Sequence, residues 1–140
     1  MFKSQPNARE VSRQVTELPP EFEVRRLGEH WAIVGPTGLF LVGRATRDVA
    51  RSAERTTMLA HELRGQLSQR ISWVPFVDPL LIADREHPDL ACTVIELDML
   101  LFALTWAGTT IEPIGLAQIQ HHLPLAIRAM QGDAPRPLPA

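Results

Sequence analysis

The sequence lacks the residues and segments that several common kinds of protein require. Its 140 residues contain one cysteine, Cys92, which excludes an internal disulfide framework and reads as a small core residue. The longest apolar stretches, near residues 73–83 and 99–107, are too short to span a bilayer. The first ten residues lack the apolar region of a secretory signal. We therefore expect a cytoplasmic protein with no membrane partner.

Basic residues are not in excess, and almost all of them are arginine. The net charge is −2, which does not favour a generic nucleic-acid-binding domain, since such domains are usually basic overall. The only lysine is Lys3, so any chemistry that needs a lysine elsewhere is excluded.

Common catalytic and metal-binding motifs are also missing. No Ser-His-Asp arrangement, phosphate-binding loop or cysteine-rich zinc spacing is present. Four potential ligands stand close together in sequence: Asp84, Glu86, His87 and Asp89. Their spacing does not demand a metal, and a solvated loop between two strands explains them. His121 and His122 are adjacent on a predicted helix, where side chains point about 100° apart and do not easily share one ion. We expect neither a metal nor a cofactor.

The first half of the chain predicts a three-stranded meander. Residues 21–27 alternate between apolar and charged side chains, which is typical of a strand with one wet face. Residues 31–34 and 39–42 are apolar at every position, as in strands buried on both faces. Between them, residues 35–38 read GPTG and supply the backbone angles of a hairpin turn. Residues 21–43 therefore predict three antiparallel strands.

Two more strand-like runs follow at residues 73–83 and 90–97. Pro75 and Pro79 interrupt the first run, and because proline cannot donate to a ladder they indicate an edge, a bulge or two shorter strands. The second run is rich in β-branched side chains.

Apolar residues recur at helical spacing in residues 8–18, 46–69 and 113–131. Asp98 is expected to cap a further helix through about Trp106, and Pro124 to split or kink the last one. The predicted order is α-β-β-β-α-β-β-α-α, an α/β (α+β) domain over residues 1–132 with a mixed sheet of about five strands flanked by helices. Residues 133–140 are proline-rich and predict a disordered tail.

This order, with the hairpin IVGPTGLFLV, resembles the nuclease-related domain family of the restriction-endonuclease-like superfamily. The resemblance spans roughly residues 8–105 and includes the long helix after the hairpin, the WVPFV strand, and the TVIEL strand followed by a helix. It implies an α-β-β-β-α-β core. It also implies an acid at the start of the first hairpin strand, and an acid, one variable residue and a lysine at the end of the second. In that family the acids hold a divalent cation that activates water, and the lysine adds a positive charge.

In this sequence those catalytic places hold other residues. The first acid falls on His30, with Glu29 one residue earlier; the second acid falls on Gly43 and the lysine on Ala45. Shifting the strand by one residue would bring Glu29 to the place of the first acid. The same shift would turn its side chain to the other face of the strand. We therefore expect these places to be degenerate and the chain to be no enzyme.

A stripe of arginines gives the sequence its strongest binding character. Arg47, Arg51 and Arg55 recur one helical turn apart, and Arg44 and Arg64 could extend the stripe to contact phosphates. Acidic residues interleave with them and no aromatic residue stands there to stack on bases, so a solvated helix face also explains the pattern. Arginine is a poor substitute for the missing lysine because it does not deprotonate.

Three tryptophans, Trp31, Trp73 and Trp106, stand near the ends of elements, where they either belong to the core or anchor a partner. The first functional hypothesis is a catalytically inactive nuclease-fold protein that binds a protein partner or a second copy of itself. One alternative is a DNA-binding module that uses Arg44, Arg47, Arg51 and Arg55. The other is a metal-dependent nuclease with relocated ligands.

Overall fold

Five strands form one mixed sheet whose order in space follows their order in the chain. The strands are β1 (Glu23–Leu27), β2 (His30–Gly35), β3 (Gly38–Arg44), β4 (Val77–Ile82) and β5 (Thr93–Ile95). β1, β2 and β3 pair antiparallel, whereas β4 and β5 join in parallel. The predicted meander and the mixed α+β sheet of five strands are therefore confirmed. The computed structural model describes residues 5–132, so Lys3 and the predicted tail at 133–140 lie outside the described residues.

Within residues 5–132, four helices accompany the sheet: α1 (Ala8–Val15), α2 (Val49–Ser68), α3 (Leu100–Thr105) and α4 (Pro113–Gln131). The backbone N–H of Arg51 donates to Asp48 Oδ1 at 3.1 Å, so Asp48 caps α2. The expected cap at Asp98 is wrong, because Asp98 lies inside a 3₁₀ turn (Leu97–Met99) that precedes α3. Pro124 does not split α4, which runs through it as one helix. No helix among residues 5–132 is long and apolar enough to cross a membrane.

The helices cover the two faces of the sheet, and this explains why β2 and β3 are apolar at successive positions. One face packs against α2 and α4, and it buries Ala32, Val34, Leu39, Leu41, Leu63, Leu67, Ile119 and Leu123. The other face packs against α1 and α3, and it buries Val11, Val15, Trp31, Ile33, Phe40, Val42, Leu100 and Leu104. Because side chains alternate along a strand, His30 and Gly43 belong to the face that α2 covers.

Pro79 lies within an interior strand, yet it costs the sheet little. Its partner on β3 is Leu41, whereas the ladder between β4 and β5 begins only at Leu80. β4 is therefore a local edge at Pro79, and proline is tolerated at such a place because no donor is needed there.

The turn between β2 and β3 depends on the absence of a side chain at Gly35. A Cβ atom at this position would overlap the ring of Phe22, which packs along the α1 side of the sheet. The hairpin therefore requires glycine for space.

We expect Gly35→Ala to lower the free energy of unfolding by about 1–3 kcal/mol, because the added methyl group must displace the Phe22 ring. Urea denaturation followed by tryptophan fluorescence measures the loss. Gly108→Ala is the control, since a Cβ there meets nothing within 4 Å. Combining Gly35→Ala with Phe22→Leu should recover part of the loss; equal losses in the single and double variants would contradict this account.

Candidate functional site

A small pocket of about 140 Å³ opens where β2 begins and β3 ends, against the first turns of α2. Its lining is polar throughout and consists of Glu29, His30, Arg44, Thr46, Arg51, Ser52, Arg55 and Thr56. This is the end of the hairpin at which the family resemblance locates the catalytic residues. His30, at the place of the first acid, is therefore one of the residues that line the pocket.

His30 and Thr56 occupy the space that a second acid would need. The His30 Nε2 and Thr56 Oγ1 atoms are 3.0 Å apart and share a hydrogen bond. A Cβ atom at Gly43 would lie 2.5 Å from Thr56 Oγ1 and 2.9 Å from His30 Nε2. The hydrogen-bonded pair can pack against the strand because position 43 is glycine. A carboxylate side chain at position 43 would have no room.

The pKa of His30 is lowered from 6.5 to about 4, mainly because burial disfavours the charged imidazolium. The positive charge of Arg55 lowers the pKa further, whereas Glu29 opposes it. His30 is therefore neutral at pH 7. A group with so low a pKa, already hydrogen-bonded to Thr56, is a poor general base for activating water.

Ala45, at the place of the lysine, is fully buried in an apolar cluster. Its neighbours include Ala53, Leu81 and Val94, and its backbone N–H donates to the Ile82 carbonyl at 2.7 Å. A lysine here would bring its ammonium group into the apolar layer between the sheet and α2. Within the part of the chain that the structure describes, no group of three or more His, Cys, Asp or Glu side chains is placed to hold a metal ion.

The structure gathers three of the four arginines proposed to bind DNA. Arg44 comes from the end of β3, and Arg51 and Arg55 from successive turns of α2; all three line the pocket. Arg47 is exposed and does not line it. Arg64, the suggested extension, instead donates to the carbonyls of Val74 and Pro75 at 3.3 Å, which ties α2 to the loop before β4.

The three guanidinium groups of the pocket have no carboxylate partner. In the described range none of them forms an ion pair or a side-chain hydrogen bond, whereas the surface pair of Arg25 and Glu23 closes to 2.6 Å. The Nε atom of Arg44 is buried and has no hydrogen-bond partner. A buried donor left unsatisfied costs about 1–3 kcal/mol, so an anion that accepted from it would be stabilised.

The side chains of Thr46 and Ser52 order the rim of the pocket. Ser52 Oγ donates to the Asp48 carbonyl at 3.0 Å and lies 3.1 Å from the Thr46 hydroxyl, so both hydroxyls help hold the turn that leads into α2. Sequence reasoning did not single out Thr46, Ser52 or Thr56 as site residues. The one available signal was Thr56, a polar residue within the apolar stripe of the helix.

The other candidate ligands from the sequence form no metal-binding group among the residues that the structure describes, although Glu86 and His87 line a second pocket with Asp78 and Cys92. Asp84 is bound by Gln5, whose Oε1 accepts from the Asp84 backbone N–H at 3.0 Å. The rings of His121 and His122 are in edge-to-face contact, and their centroids are 5.0 Å apart. Burial raises the pKa of the Cys92 thiol, which makes it less nucleophilic at neutral pH.

The three tryptophans have different environments, and Trp31 is the one that lies in the core. Trp31 is 1 % exposed; its indole N–H donates to Ser12 Oγ at 3.3 Å and Arg26 covers its ring at 4.3 Å. Of the two roles that the sequence allowed for Trp31, the structure therefore shows the core role. Trp73 and Trp106 are 56 % and 69 % exposed, and both remain available at the surface.

The lowered pKa of His30 predicts a pH-dependent stability. A group whose pKa is lower in the folded state stabilises the protein above its unfolded pKa, and the contribution is lost as the pH falls from 6.5 toward 4. Allowing for partial solvent screening, we expect wild type to lose about 1–2 kcal/mol more than His30→Gln between pH 7 and pH 5. Urea denaturation at both pH values measures this difference. A histidine resonance of His30 that titrates near 6.5 by NMR would contradict the assignment.

Comparisons with known proteins do not connect the pocket to a family. No family model matches the chain, and no curated protein and no solved structure matches it either. The resemblance to the nuclease-related domain therefore remains an interpretation of the hairpin and the element order. Function has to be argued from the residues of the site, because a fold alone does not specify it.

Proposed function

We propose that this chain is a non-catalytic module of the restriction-endonuclease-like fold that holds a phosphate group of a nucleic acid in its arginine pocket. The observation that carries the proposal is the convergence of Arg44, Arg51 and Arg55, without acidic partners, at the end of the hairpin. The observed run α1-β1-β2-β3-α2-β4 supports the fold assignment, since it has the element order that the resemblance implies.

The chemistry of the pocket favours an anion over a cation. Guanidinium groups present planar forks of N–H donors that match phosphate oxygens, whereas three positive side chains repel a divalent metal ion. The space around Gly43 is filled and Ala45 is buried, so the side chains that would bind a metal or assist its water have no place. These features support binding of the phosphate without its hydrolysis.

The salt dependence of DNA binding tests the proposal. We expect a fluorescently labelled oligonucleotide to bind at low salt with a slope of log K against log [salt] of about −1, because the pocket holds one phosphate. The double variant Arg51→Ala, Arg55→Ala should weaken binding at least about tenfold, since two charged donors are lost. Fluorescence anisotropy measures both quantities.

Arg47→Ala is the matched control, because Arg47 is an exposed arginine of the same segment that does not line the pocket. Equal affinity losses in the two variants would argue for diffuse attraction and against the pocket. The same oligonucleotide, incubated with Mg²⁺ or Mn²⁺ and run on a denaturing gel, should stay intact. Cleavage that Glu29→Ala removed would favour the nuclease with relocated ligands.

A second candidate function is self-association through α3, which leaves an apolar stripe unpartnered. Met99, Phe102 and Trp106 follow one another at helical spacing on its outer side; all three are exposed, and the Phe102 and Trp106 rings stack at 6.3 Å. A second copy could cover the stripe with its own in a two-fold pair. The exposed part of two such rings amounts to about 300 Å² per copy, which is short of the roughly 1,000 Å² in total expected of a stable interface. We therefore rank this contact second.

If the stripe mediates self-association, the chain should be monomeric at micromolar concentration and partly dimeric near millimolar concentration. Sedimentation equilibrium measures the weight-average mass in both ranges. Phe102→Ser should abolish the increase, whereas Leu125→Ser, at an exposed position of α4, should not. A concentration-independent monomer mass would remove this candidate.

A further inference from the structure

We infer that the arginine pocket accepts a terminal phosphate monoester in preference to an internal phosphodiester of a nucleic acid chain. This inference rests on the proposed function and specifies which phosphate the site selects. The observations that support it are the size of the pocket, the acidic side chains near it and its net charge.

The pocket has room for little more than one phosphate group. Its volume of about 140 Å³ compares with roughly 300–1,000 Å³ for pockets that enclose drug-sized ligands and cofactors. None of its lining side chains is aromatic apart from the imidazole of His30, which is engaged with Thr56. A nucleoside attached to the phosphate would therefore stay outside, without a stacking partner in the pocket.

Carboxylates lie close to the arginines of the pocket. Glu29 lines the pocket on the β2 side, and Glu54 and Glu62 line the adjoining surface of α2 together with Arg51 and Arg55. An internal phosphodiester has a neighbouring phosphate in each direction, so at least one of them would approach these carboxylates. A terminal phosphate has a neighbour in one direction only and can leave the pocket away from them.

The charge of the pocket also suits a monoester. Three guanidinium groups and Glu29 leave a net charge of +2, and His30, kept neutral at pH 7 by its lowered pKa, adds none. A phosphate monoester carries about −1.5 to −2 at pH 7, which nearly balances this charge. A diester carries one negative charge and leaves the pocket positive. The buried Nε of Arg44 needs an acceptor, and a terminal phosphate offers three oxygens free of ester bonds.

The test compares two single-stranded oligonucleotides of one sequence, with a 5′-phosphate or a 5′-hydroxyl, by anisotropy with a 3′ label at pH 7.5. We expect the 5′-phosphate to bind about tenfold more tightly, because it adds a charge-assisted contact that the hydroxyl lacks. The ratio should fall to about one in Arg51→Ala, Arg55→Ala and persist in Arg47→Ala. Circular dichroism of each variant checks that it is folded.

The outcomes separate the inference from the proposed function. If both oligonucleotides bind equally and the double variant weakens both, the proposed function stands and the preference for a terminal phosphate is overturned. If neither oligonucleotide binds but ribose 5-phosphate does, and ribose does not, the monoester preference stands and the nucleic-acid ligand is overturned. If no phosphate compound binds, or the double variant changes nothing, both are overturned.

Discussion

The hydrogen bond between His30 and Thr56, closed over the bare backbone of Gly43, determines what this end of the sheet can do. It fills the space in which a second acidic ligand would stand, and burial at this place keeps the imidazole neutral at pH 7. It also joins the first residue of β2 to the first half of α2. Arg55 lies one residue before Thr56, and the position of its guanidinium therefore depends on the same contact.

A positively charged pocket and a metal centre exclude each other at this end of the hairpin. A nuclease of this architecture needs carboxylates that attract a cation, and the cation then neutralises the phosphate. Here arginines supply the positive charge directly and permanently, because guanidinium groups do not titrate in the physiological range. Such a site suits the proposed binding of a phosphate, because its positive charge needs no metal ion. In the proposed function, anion binding and the absence of hydrolysis follow from the same set of residues.

Much of the fold could be predicted from local patterns, whereas the site could be predicted only in part. The GPTG turn between two fully apolar runs indicated the hairpin, because strands covered on both faces show no alternation. Helical periodicity placed Arg51 and Arg55 on one stripe, but only the strand register brings Arg44 beside them and leaves Arg47 outside. The contact of His30 with Thr56 spans 26 residues, and no spacing rule predicts such a pair. The burial of Trp31 and the exposure of Trp106 were likewise decided by which elements happened to cover them.

The arrangement of the sheet has a consequence for how the chain folds. Each strand pairs with the strand next to it in sequence, and the two antiparallel connections are short turns. Pairing strands that are close in sequence costs little chain entropy. The β1–β2–β3 meander can therefore form early, before the parallel strands pair. β4 can pair with β3 only after α2 has crossed the sheet, so we expect this parallel pairing, which closes the longest loop between neighbouring strands, to form later. The arginine pocket lies at that junction, and it is therefore completed only when the β-meander and the crossover helix have docked.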